Sequence, residues 1–151
     1  MSSGMKVTVL ENHIEDIKKS LREKTLENAA MAGGQVIRNN AILNIQRTFK
    51  NVHGTRGLSR IVVQVQKKSN TSCTVDIGPT VVYGRIHELG GIIRPIKAKM
   101  LSWVNEAGQR VFANAVHIPA RPYMRPAVDD HMDEIKQAVG AAVAEGVRQS
   151  L

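Results

Sequence analysis

The sequence predicts an α+β fold: N-terminal helices, an antiparallel β-sheet with a short inserted helix, and a C-terminal amphipathic helix packed on the sheet. Apolar residues recur every three or four positions through 1–50 and again from 126 onward, which is helical spacing. Between them, 54–118 changes to short alternating runs rich in β-branched residues and punctuated by Gly and Pro. At 151 residues and 42% hydrophobic content, one domain spanning 1–151 is expected. Its parts are helical (1–50), β-rich (54–118) and a terminal helix (126–149).

Val7 and Val9 alternate briefly, and then Leu10, Ile14, Ile17 and Leu21 mark a first amphipathic helix, with Asn12 as a cap and Glu15 three residues later. A second helical stretch runs through Leu26, Gly33, Ile37 and Ala41 to Phe49. Gly33-Gly34 in its middle either bends it or permits close packing against another element. NVHGTRGLSR, from residue 51, supplies a polar turn. IVVQVQ (61–66) and TSCTVDI (71–77), separated by KKSN, predict a hairpin ended by Gly78-Pro79. In VVYGRIHELGG (81–91), Val82, Ile86 and Leu89 have helical spacing and Gly90-Gly91 stops the turn, so a short helix is expected. Pro95 then separates one strand from another at 101–104. Glu106-Ala107-Gly108 forms a turn, and 110–118 is expected as a single last strand.

The stretch VHIPARPYMRPAVDDH (116–131) holds three prolines and two Arg-Pro pairs. Proline fixes its own φ and disfavours α geometry in the residue before it, so Ile118, Arg121 and Arg125 are expected to be extended. Pro126 suits the first helical position, with Asp129 and Asp130 in the first turn where the helix dipole favours acids. Val128, Met132, Ile135, Val139 and Val147 then give one apolar face through 148.

Composition narrows the function. Aromatics make up only 3%, so an aliphatic core is expected. No apolar run approaches the roughly 20 residues of a membrane span, and the first residues lack a signal-peptide pattern. Folding in a cytoplasm without a membrane partner is therefore expected. Cys73, the single cysteine, has no partner for a disulfide or a Cys-based metal site. The net charge of +8 is uneven: Lys and Arg against Asp and Glu count 8 to 5 over 1–53, 11 to 3 over 54–126, and 2 to 5 over 127–151. A basic middle suits nucleic acid or an acidic protein surface. Its cations form no run and do not alternate with stacking aromatics, so a small nucleic-acid-binding protein is the second reading.

Two clusters offer acid-base groups: His87-Glu88 with Tyr83 and Arg85, and Asp129-Asp130-His131. Neither spacing is diagnostic of an enzyme. There is no Gly-rich phosphate loop, no His-Glu-x-x-His pair and no nucleophile elbow. The five histidines are scattered. No catalytic, cofactor or metal site is expected.

Four ordered segments carry a resemblance: TRGLSRIVVQV (55–65), DIGPTVVYGRIHELGG (76–91), IIRPIKAKMLSW (92–103) and VFANAVHIPARPYMRPAVDDHMDEI (111–135). Together they resemble the tail-completion, or head-to-tail joining, proteins of long-tailed bacteriophages. That family's pattern is a Thr-Gly-x-Leu-like turn, a Tyr-x-x-x-x-Glu-x-Gly segment and a Pro-Ala-Arg-Pro-aromatic-x-Arg-Pro-Ala signature. Here these fall on 55–58, on Tyr83, Glu88 and Gly90, and on 119–127. The resemblance covers the last two thirds of the chain. Tyr83, His87, Gly90 and Gly91 are equally similar to the pattern of tail-morphogenesis proteins of contractile-tailed phages. The resemblance implies a structural protein of the virion neck, assembled in the bacterial host cytoplasm. It would form a ring, usually a hexamer, between head-completion or connector proteins and the tail tube protein, with double-stranded DNA passing through its channel.

A cyclic ring uses a heterologous contact between two different surfaces, which a basic sheet region and an acidic final helix can supply. Two readings of the connector stand. Arg121 and Arg125 make bidentate contacts to carboxylates, within the fold or across a subunit boundary. Alternatively they only cap loops, while Tyr123 and Met124 anchor the connector to the core. On either reading Tyr83, His87, Glu88, Arg121, Tyr123, Arg125, Asp129 and Asp130 are the expected interface or fold-locking residues.

Overall fold

A computed structural model describes 4–49, 57–69 and 71–150, with side chains from 15 onward. The helical N-terminal part is one 45-residue helix, α1 (Gly4–Thr48), rather than two. Asn12, expected as a cap, lies inside it, as does the brief Val7–Val9 alternation. The helix also runs through Gly33-Gly34, because these residues serve close packing. A Cβ on Gly33 would lie 2.9 Å from Val139 Cγ2, and one on Gly34 2.6 Å from Val63 Cγ1. Neighbouring elements come so near the helix at these positions that a methyl group does not fit. The polar turn expected from residue 51 falls mostly outside the described residues.

The expected hairpin forms from β1 (Ile61–Lys68) and β2 (Cys73–Pro79), paired antiparallel. Its alternation is that of a half-buried ribbon. Ile61, Val63, Val65, Val75 and Ile77 lie on the more buried face, with Val62, Gln64, Thr74 and Asp76 on the exposed one. The register shifts between Val65 and Lys67, leaving Gln66 as a bulge. Two side-chain contacts tie the ribbon to α1: Arg38 Nε donates to the Ile61 carbonyl at 2.8 Å, and Lys68 Nζ lies 3.1 Å from Glu27 Oε2.

The short inserted helix is present as α2 (Gly84–Leu89), ended by Gly90 at φ 71°. The rest of the β-rich part forms β3 (Gly91–Ile93), β4 (Leu101–Val104), β5 (Arg110–Ala113) and β6 (Val116–Ile118). The single strand expected over 110–118 is thus two strands, divided at Asn114-Ala115. Each half pairs elsewhere, β5 with β4 in a hairpin and β6 with β3. The antiparallel strands therefore make three two-stranded ladders.

The helix expected from 126 to 148 is divided as well, into α3 (Met124–Asp129) and α4 (Met132–Gln149). Asp129-Asp130-His131 are poor helix formers, and His131, at φ −122° and ψ 21°, leaves helical geometry. Asp129 and Asp130 consequently sit at the end of α3, and the acids in the first turn of α4 are Asp133 and Glu134. The expected extended conformation of Arg125 is overturned, since Arg125 is the second residue of α3.

The final helix packs chiefly on α1 rather than on a sheet. It runs antiparallel to α1: Glu134 lies beside Asn40 (3.3 Å), Val139 over Gly33 and Gly146 against Thr25. Helix α1 forms the centre, with α4 and the β1–β2 ribbon against it. The buried core lies at its C-terminal end, where Ala41, Ile45 and Phe49 meet Leu58, Ile61, Tyr123 and Ala127.

Candidate functional site

The connector between β6 and α3 is locked to α2 through backbone groups. The first four N–H groups of a helix have no partner inside it. In α3 these belong to Tyr123, Met124, Arg125 and Pro126. Glu88, near the end of α2, supplies a carboxylate that accepts from Tyr123 (2.8 Å) and Met124 (2.9 Å) at Oε2 and from Arg125 (2.9 Å) at Oε1. Pro126 has no N–H. One side chain from a distant element and one proline therefore account for all four groups, and the three charge-assisted bonds offset the disfavoured α geometry of Arg125 before proline.

The lock continues on both sides. Arg121 N–H donates to the His87 carbonyl at 2.7 Å. Gly90 brings the chain so near the connector that a Cβ there would lie 2.8 Å from the Ala120 nitrogen, and its positive φ also favours glycine. Tyr123, only 1% exposed, donates its hydroxyl to the Gly84 carbonyl at 3.2 Å, while its own carbonyl accepts from Asn44 Nδ2 at 3.1 Å. Burial, with the Glu88 charge adding to it, raises the Tyr123 phenol to about 12.

An aromatic cluster underlies these bonds. Phe49 meets His87 edge-on at 5.2 Å and Tyr123 at 6.5 Å, and Tyr83 meets His87 at 6.0 Å. The Arg121 guanidinium stands 5.8 Å from the centre of the Phe49 ring. Burial lowers the His87 pKa below its usual 6.5, and the Arg121 charge lowers it further. Tyr83 Oη accepts the Gly57 N–H at 3.3 Å.

Tyr83, His87, Glu88, Arg121 and Tyr123 are thus brought together. Arg125, Asp129 and Asp130 lie outside the cluster. Arg125 Nε is 3.6 Å from Asp129 Oδ2, with both side chains mostly exposed, and Asp130 is exposed. Neither arginine makes a bidentate carboxylate contact among the described residues, so that expectation within the fold is not met. The anchoring expected of Tyr123 is present. Of the acid-base groups, Glu88 is engaged by three amides, and His131 lies 3.2 Å from Glu134. A pocket of about 340 Å³ beside α2 is lined by Pro79, Val81, Val82, Arg85, Leu89 and Met124, among others, and is largely apolar.

Phe49 was legible in the sequence only as the end of a helical run. The signal that could have found it is scarcity, because the chain has just two Phe, two Tyr and one Trp. Phe49, Tyr83 and Tyr123 meet at the lock. The other two, Trp103 and Phe112, lie exposed on the β4–β5 hairpin.

That hairpin and the β3–β6 pair form an arm (91–118) that packs extensively on no helix. Seven of the fifteen exposed large apolar side chains among the described residues belong to it: Ile92, Ile93, Ile96, Met100, Trp103, Val104 and Phe112. The register puts Leu101, Trp103, Val111 and Ala113 on one face of the hairpin and Val104 and Phe112 on the other. Apolar side chains thus stand on both faces, the second shared with Ser102 and Arg110.

Among the described residues no group of three His, Cys, Asp or Glu side chains is placed to hold a metal ion, and no helix is long and apolar enough to cross a membrane. Cys73 is half-buried in β2 and free. No protein-family model, curated protein or solved structure matches the chain.

Proposed function

We propose that this chain is a structural subunit of a tailed-phage neck, which assembles into a ring that completes the tail and joins it to the head-completion proteins around a channel for DNA. The observation that carries this reading is the arm. A two-stranded ribbon is at best marginally stable alone in water, and this one exposes apolar and aromatic side chains on both faces. Such a patch marks an interaction surface, and aromatic residues and Met are enriched where proteins meet. The resemblance of the connector and of the Tyr83–Gly90 segment to tail-completion proteins supplies the kind of assembly. The lock explains why the two parts of that pattern occur together, since Glu88 of one caps the helix that begins in the other.

The role proposed is assembly rather than catalysis, with no cofactor. The work of Glu88, Tyr123 and Arg121 is to fix the connector and, through it, the angle at which the arm leaves the body. A tail-morphogenesis role in a contractile-tailed phage or prophage places the chain in the same class.

One observation favours a second reading, that of a small nucleic-acid-binding protein. Arg94, Lys97, Lys99 and Arg110 on the arm are all exposed. Phosphate binding releases counterions, so this reading requires tight duplex DNA binding by the monomer that weakens steeply with salt. Electron microscopy of the chain mixed with tail tube protein separates the two. The neck reading expects rings capping tubes, and bare tubes together with salt-sensitive DNA binding would replace it with the second.

A further inference from the structure

Resting on the neck reading, we infer that the arm of one copy docks on the acidic α3–α4 corner of the next copy, giving a head-to-tail contact. The occupant is a second copy because the chain carries both complementary surfaces, and no ion pair or side-chain hydrogen bond joins them among the described residues. The arm (91–118) has Arg94, Lys97, Lys99 and Arg110 against a single Glu106. The corner (127–134) has Asp129, Asp130, Asp133 and Glu134 with no Lys or Arg. All of these side chains are exposed. Asp130 has no ion-pair partner among the described residues; Asp129 and Asp133 make only long, exposed pairs, with Arg125 at 3.6 Å and Lys136 at 3.9 Å, while Glu134 lies 3.2 Å from His131.

Each surface also has an apolar element. On the arm, Ile96 stands 96% exposed between Arg94 and Lys97; at the corner, Met132 is 42% exposed. Like charges repel arm from arm and corner from corner, so the contact pairs an arm with a corner, and passed on from copy to copy it is heterologous. A heterologous contact closes into a ring when its rotation allows. The Glu88 lock bears on that rotation, because it holds the connector that leads directly from the arm to the corner.

The contact is tested with two variants and their mixture. K97E/K99E reverses the arm, and D129K/D130K reverses the corner. All four positions are exposed, so both variants are expected to fold, with a slightly lower thermal midpoint in D129K/D130K, which loses the Arg125–Asp129 pair and places cations before the N-terminus of α4. K97Q/K99Q serves as a milder arm variant. Sedimentation at low and at raised salt should show assembly of the wild type that weakens with salt, and each variant as a monomer. In the equimolar mixture an intact arm meets an intact corner, and the reversed arm and reversed corner carry opposite charges as well, so the mixture should assemble where neither variant does alone. Variants that assemble like the wild type, a mixture that stays monomeric, or a wild type that remains monomeric throughout would each overturn the contact without touching the neck reading, which rests on assembly with tail tube protein. Wild-type chains that grow without closing, and are blocked by both variants, would keep the contact and reject the ring. Loss of DNA binding in K97E/K99E with assembly unchanged would assign the arm to nucleic acid and overturn the contact.

Discussion

The carboxylate of Glu88 accepts the backbone N–H of Tyr123 at 2.8 Å, across 35 residues of chain, and through the next two amides it caps a helix to which it does not belong. Capping side chains ordinarily come from the residue just before the helix. Here that residue is Tyr123, whose side chain is committed to the core, so the acceptor is supplied from α2.

Replacing Glu88 should therefore destabilise the fold more than a typical surface change. Glu88→Gln keeps the shape but loses one acceptor oxygen and the charge, and should lower stability by about 2 kcal/mol. Glu88→Ala should cost about 3 kcal/mol. Urea denaturation measures both, and an effect within about 0.5 kcal/mol, the range of an ordinary surface site, would reject the capping role.

Tyr123→Phe removes one hydroxyl and leaves the Gly84 carbonyl buried without that donor, at a cost of about 1 kcal/mol. The phenol also makes stability depend on alkaline pH. Its folded pKa, about 12, lies above the ordinary 10, so the folded state holds the proton longer and stability falls as pH rises through that window. The slope between pH 10 and pH 12 should be smaller in Tyr123→Phe.

His87 acts at the other end of the scale. Its folded pKa lies below 6.5, so the unfolded chain takes up the proton first as pH falls. The stability it contributes is fully present above pH 6.5 and is lost as pH falls below that value through the folded pKa. Urea midpoints from pH 8 down to pH 5 should fall for the wild type and fall less for His87→Gln.

Gly34→Ala tests the packing of α1. Alanine improves intrinsic helix propensity by roughly 1 kcal/mol, yet the new methyl group would meet Val63 Cγ1 at 2.6 Å. Overpacking of this kind costs about 1–3 kcal/mol, so net destabilisation is expected. A rise in melting temperature would show that the ribbon can move away.

These sites differ in how far the sequence discloses them. Elements whose boundaries are written in local chemistry were legible: the alternation of β1 and β2, the Gly90 stop of α2, and the turn at Gly108. Most departures from the local rules have one cause, a partner distant in sequence; the break at Asp129-Asp130-His131, made by poor helix formers, is local. Gly33-Gly34 would weaken an isolated helix, but α4 and β1 need the space. Arg125 before Pro126 should avoid α geometry, but Glu88 compensates. The run from 110 to 118 reads as one strand because nothing in it reveals that β5 and β6 pair with different neighbours. At the site, Glu88 and Tyr123 are singled out in the sequence by the family resemblance, whereas nothing in the sequence signals the bond between them. Phe49 has no local signature in the sequence, because an aromatic at a helix end reads only as the end of the apolar run.

The most direct test of the central claim is native mass spectrometry of the wild-type chain, alone at increasing concentration and then with tail tube protein. The account predicts one closed species, a hexamer, which forms at high concentration or on the tube and is not exceeded. A chain that stays monomeric under both conditions while binding duplex DNA tightly at physiological salt would contradict it.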